Sequence, residues 1–126
     1  VKVALAVLKN ENGQVLIGKR ADGEPPWSFP GHDMVLETFD PDYVLDQADL
    51  ALEDETGLTA DANSVIGYRE HPATKAMCYY VAMGKPINNK LKPGGSLTEV
   101  KWVKLVEALR LMPDMYGPVK QYLGLG

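Results

Sequence analysis

Two short apolar runs open the chain, Val3-Ala4-Leu5-Ala6-Val7-Leu8 and Val15-Leu16-Ile17-Gly18-Lys19-Arg20, with the polar segment Asn10-Glu11-Asn12-Gly13-Gln14 between them. Asn-Gly favours a tight turn because both residues tolerate positive φ, so the pattern predicts a β-hairpin. Ala21 to Asp33 follows, rich in Gly and Pro, and reads as a loop stiffened by Pro25, Pro26 and Pro30. Asp40-Pro41 then supplies an N-cap followed by proline at the first helical position, Leu45, Ala48 and Leu52 recur at helical spacing, and Gly57 ends the run. One helix is expected from Pro41 to Thr56. Ser64 to Tyr68 and Ala76 to Met83 read as strands, and Thr98 to Leu105 alternates as a half-buried strand does. Short helices at Val106 to Leu111 and Tyr116 to Leu123 close the chain around Pro113. Strands and helices mixed without regular alternation predict an α+β fold with a mixed sheet between helices.

Composition narrows the function classes. A chain of 126 residues with 45% hydrophobic content suits a single domain, residues 1–126, around one core. The formal charge of −4, with scattered rather than clustered Lys and Arg, gives no field to attract a duplex nucleic acid. No apolar run approaches the roughly 20 residues that span a bilayer, and Val1 to Leu8 lacks the pattern of a signal peptide. The expectation is a cytoplasmic protein without a membrane partner. Cys78 is the only cysteine, which excludes an internal disulfide, and its neighbours Met77, Tyr79, Tyr80 and Val81 predict a buried thiol.

Candidate chemistry gathers on the long helix. At 3.6 residues per turn Gln47, Ala51, Asp54 and Glu55 fall along one stripe, with Leu45, Ala48 and Leu52 turned elsewhere toward the core. Two carboxylates beside a glycine-rich loop are sufficient to seat a hard cation, which takes oxygen ligands and keeps several waters. A charged run such as Glu53-Asp54-Glu55 is, on composition alone, more often a solvated helix face.

Trp27-Ser28-Phe29-Pro30-Gly31, followed by a helix ending Leu52-Glu53-Asp54-Glu55-Thr56-Gly57-Leu58, resembles the Nudix hydrolase family. The opening strands and the late Glu99-Val100-Lys101-Trp102-Val103 segment are similar to that family's ends, so the resemblance covers nearly the whole chain. It implies a Nudix-like α/β/α sandwich with a mixed central sheet. In the family's signature Glu55 matches the last metal-binding glutamate, Asp54 the glutamate before it, and Gly57 the closing glycine. Leu50 stands in place of the arginine, Ala51 in place of the first glutamate, and His32 in place of a second glycine. The stretch between Gly31 and the helix is longer than usual, and Glu37, with Asp42 second, is the nearest counterpart of the mid-signature glutamate.

The resemblance implies a Mg²⁺-dependent hydrolase, with Mn²⁺ as an alternative ion, in which a metal-activated water attacks a diphosphate linkage. Asp54 and Glu55 would be ligands together with the Gly31 carbonyl, and Glu99 or Glu37 the base. Arg20 or Lys19 would meet phosphates, Trp27 a base or sugar, and His32 a phosphate or a proton. The implied partner is a small-molecule nucleotide or nucleotide-sugar, and exposed strand edges would allow a homodimer. Loss of the arginine and glutamate together removes a pair rather than stranding one charge, so the fold is expected to survive it. A second reading follows from Leu50 and Ala51: a Nudix-fold module that binds a ligand with little or no turnover.

Overall fold

The computed structural model describes residues 1–21, 23, 26–36 and 40–124. Its elements run β1 (Lys2–Val7), β2 (Gln14–Arg20), β3 (Trp27–Ser28), β4 (Gly31–Met34), α1 (Pro41–Thr56), β5 (Ala62–Glu70), β6 (Met77–Met83), β7 (Leu97–Lys104), α2 (Leu105–Leu111) and α3 (Gly117–Leu123). Four strands form a mixed sheet in the order β4-β1-β6-β5, in which β1 and β6 are parallel. Three more form an antiparallel sheet in the order β3-β2-β7.

Alternation along the strands divides the interior. Ala4, Ala6, Tyr79 and Val81 face one side of the mixed sheet and pack with Val44, Ala48 and Leu52 of α1. Val7, Cys78 and Tyr80 face the other side and pack with Ala108 of α2 and with Val119 and Leu123 of α3. Sheets therefore lie between α1 and the α2–α3 pair, the α/β/α arrangement. Among the described residues no helix is long and apolar enough to cross a membrane.

Helix α1 has the boundaries that the sequence predicts. The Asp40 side chain accepts from Asp42 N–H at 3.0 Å, and Pro41 occupies the first turn, where its missing N–H costs nothing. Gly57 ends the helix with φ of 76°, donating its N–H to the Glu53 carbonyl at 3.0 Å.

Two expectations are corrected. The Asn-Gly turn exists, with Asn10 N–H bonded to Gln14 C=O at 2.9 Å, but β1 and β2 do not continue as a hairpin. A single bridge joins Lys9 and Val15, after which the strands enter different sheets. A strand has two hydrogen-bonding edges, and β4 and β6 occupy both edges of β1. The Ala21 to Asp33 segment, expected as loop, contains β3 and most of β4. Lys19 pairs with Trp27, and Val3 with Asp33, so distant strand edges override a local composition of turn residues.

Candidate active site

A cleft of about 670 Å³ opens on the α2–α3 side of the mixed sheet. Its floor is built by register. Gly31, Leu5, Tyr80 and Gly67 form one row across β4, β1, β6 and β5, and Asp33, Val3, Cys78 and Arg69 form the next. Trp27, Ser28 and Phe29 line it from the second sheet's side, and the end of α1 brings Asp54 and Glu55 to one end.

Glu55 is 5% exposed, and its carboxylate is held by three donors. Ala6 N–H donates to Pro30 C=O at 2.8 Å, so the next residue, Gly31, turns its N–H away from β1 and donates to Glu55 Oε1 at 2.7 Å. Ser96 donates its hydroxyl to Oε2 at 2.5 Å and its N–H to the same oxygen at 3.3 Å. Charge-assisted bonds of this kind compensate the burial of a carboxylate. The clamp ties the end of α1 to the start of β4 and to the segment before β7.

Asp54, the adjoining residue, points differently: its side chain is 60% exposed and its Oδ2 lies 3.6 Å from His32 Nε2. The other ring nitrogen of His32 sits 3.2 Å from Gln47 Oε1, so the imidazole bridges two positions seven residues apart on α1. Ala51 lies between them in sequence and is fully buried. Its place is therefore in the core face with Ala48 and Leu52, which corrects the expectation for Ala51; Gln47 is half-buried, and Asp54 and Glu55, one exposed and one buried, both line the cleft. A glutamate at Ala51 would be a buried charge, whereas Leu50 is 48% exposed.

The remaining expected residues divide. Arg20 and Trp27 both line the cleft. The Trp27 ring is already faced by the Lys101 ammonium at 4.7 Å and the Lys19 ammonium at 5.9 Å. Glu99 pairs with Lys19 across β2 and β7, sits 3.9 Å from Lys101 Nζ, and is not among the residues lining the cleft. Glu37 lies outside the described residues.

These donors do not fit a preformed centre for Mg²⁺ or Mn²⁺. Glu55 already accepts three hydrogen bonds from the protein, one at Oε1 and two at Oε2, which leaves an ion only about one of the carboxylate's four acceptor sites. Asp54 stands toward His32. Among the described residues no three His, Cys, Asp or Glu side chains gather where one ion could be held.

Ser96, Arg69, His71 and Tyr116 also line the cleft, although no sequence motif marks them. Gly67 makes room for one of them: a Cβ there would fall 3.0 Å from the Tyr116 ring, which stacks on Tyr80 at 5.3 Å. The one available signal was Gly67 itself, a glycine within a strand, which marks close approach. Burial pushes the Tyr80 hydroxyl and the Cys78 thiol upward, so both stay protonated at neutral pH.

No family model and no curated protein matches the sequence. Solved structures do match the fold. A Nudix hydrolase from Nitrosomonas europaea superposes with a TM-score of 0.73 at 18% identity, over 96% of this chain and 68% of the other. The MutT protein from Methanosarcina mazei Go1 gives 0.69 at 18% identity over 98% and 89% of the two chains. An ADP-ribose pyrophosphatase from Streptococcus suis gives 0.62 at 17% identity over 91% and 92%. This chain adopts the Nudix hydrolase fold.

Proposed function

We propose that the cleft binds a small molecule built on a nucleoside diphosphate, such as a nucleotide-sugar, and that efficient metal-dependent hydrolysis has been lost. The engagement of Glu55 by Gly31 and Ser96 carries this reading, because it commits three of about four acceptor sites on the carboxylate that a Nudix hydrolase would turn to a metal. Ligand binding is supported by the cleft itself. Its volume of about 670 Å³ lies within the range of small-molecule sites, and Arg20, Arg69, Trp27 and Tyr116 offer charge and aromatic faces. Nucleotide chemistry is supported by the fold's other occupants: a bifunctional NMN adenylyltransferase/ADP ribose pyrophosphatase from Francisella tularensis, complexed with AMP and a Mn ion, superposes with a TM-score of 0.66 at 13% identity, over 96% of this chain and 38% of the other.

One observation favours a second reading, Mg²⁺-dependent hydrolysis of a nucleoside diphosphate linked to another group: Gly31, Asp54 and Glu55 all line the same cleft. A turnover assay separates the two. A panel of nucleoside diphosphates, nucleotide-sugars and ADP-ribose is incubated with Mg²⁺, and phosphate and nucleotide release are followed in the natural protein and in Glu55→Gln. The binding reading expects background release from both. Release by the natural protein at least tenfold above background, and abolished in Glu55→Gln, would establish the second reading instead.

A further inference from the structure

The end of the cleft farthest from Glu55 carries a cluster of hydrogen-bond donors. Arg69 lies on β5 and Gly31 on β4, the two edges of the mixed sheet, so three strand spacings separate them. At about 4.8 Å each, that is roughly 14 Å across the floor.

Arg69 is fixed rather than left to sweep through solvent. Its guanidinium lies 5.5 Å from the Tyr116 ring centroid and 6.0 Å from that of Tyr80. Its Nε donates to the Tyr80 hydroxyl at 3.3 Å, and one Nη2 hydrogen is given to the Asp114 carbonyl at 2.5 Å. A guanidinium has five N–H groups, so three remain for a ligand. Among the described residues no carboxylate forms an ion pair with Arg69.

His71 adds a neutral donor. Its Nδ1 accepts from Ala73 N–H at 3.1 Å and from Thr74 N–H at 3.3 Å, which leaves the ring proton on Nε2. Burial, and then the neighbouring Arg69 charge, lower its tendency to protonate further, against a smaller opposing pull from Asp114. Thr74 lines the same end; its oxygen accepts from Ala76 N–H at 3.3 Å and keeps its own proton to donate.

Resting on the reading of the cleft as a ligand site, we infer that Arg69, His71 and Thr74 form a subsite for a phosphate monoester at the β5 end of the cleft. A carboxylate offers two oxygens to a donor fork. A terminal phosphate offers three, which suits a guanidinium joined by an imidazole N–H and a hydroxyl. The Tyr80–Tyr116 stack holds the guanidinium in place, so less ordering accompanies binding. The ligand would then carry a phosphate at the Arg69 end and extend across the floor toward Gly31.

Calorimetric titration with ribose 5-phosphate, with ribose and gluconate as controls, tests this, and ADP is titrated in parallel to test the cleft as a nucleotide site. The natural protein is expected to bind ribose 5-phosphate at least tenfold more tightly than ribose or gluconate. Arg69→Gln is expected to lose that preference, and Thr74→Val, at an exposed position that can fold without its hydroxyl, to lose about threefold. Circular dichroism establishes that Arg69→Gln is folded; if it is not, the Thr74→Val result and the control ligands decide. Equal binding of ribose and ribose 5-phosphate, or unchanged affinity in the folded variants, overturns the subsite while ADP binding leaves the cleft reading standing. Failure of both ADP and ribose 5-phosphate to bind overturns both.

Discussion

Glu55 accepts from three donors in a nearly dry setting, and replacing one carboxylate oxygen by an amide would turn an N–H₂ toward Gly31 N–H or toward Ser96. Opposed donors at a buried site cost about 1–3 kcal/mol. Glu55→Gln is therefore expected to lower unfolding stability by that amount in urea at neutral pH, with no metal present. A stability equal to that of the natural protein would show that the clamp contributes nothing. Part of this was legible in the sequence, since Glu55 and Gly31 stand out as residues near one another in the fold. Its sense was not, because hydrophobic periodicity assigns buried faces to apolar residues and Glu55 is buried as a polar one. Ala51 shows the same limit from the other side: its neighbours Ala48 and Leu52 belong to the core, and Ala51 joins them rather than the polar stripe.

Helix α1 was legible at both ends because its stop signals are local, Asp40-Pro41 at the start and Gly57 at the finish. Gly57 also meets a steric limit that Gly13 does not. Both have φ above 70°, but a Cβ on Gly57 would lie 2.4 Å from the Lys90 carbonyl oxygen, while one on Gly13 would meet nothing within 4 Å. The left-handed conformation alone costs a residue with a side chain about 1–2 kcal/mol. Gly13→Ala is thus expected to lose about that much and Gly57→Ala clearly more, measured as paired urea midpoints. Equal losses would mean that the Lys90 backbone gives way freely. The strands were legible as apolar runs but not in their pairing. Nothing local in Val3 to Leu8 says that both its edges are taken by β4 and β6, which arrive 25 or more residues later in the chain.

On the scale of the molecule, one end of the cleft could be read from the sequence because Trp27 to Gly31 and Asp54 to Gly57 form compact motifs. The other end could not. Arg69, His71 and Tyr116 come from β5, the turn after it and the start of α3, and only the sheet register and the gap above Gly67 bring them to one floor. On the proposed function, Glu55 serves this Nudix-fold cleft as a structural clamp and the protein's own donors make the ligand contacts. Titration calorimetry with ADP, in excess EDTA and again in saturating Mg²⁺, tests it most directly. Binding in EDTA is expected, with dissociation constants in the two buffers within about threefold, since roughly 0.6 kcal/mol separates affinities that differ by that factor. Binding that disappears in EDTA and returns with Mg²⁺ would contradict it.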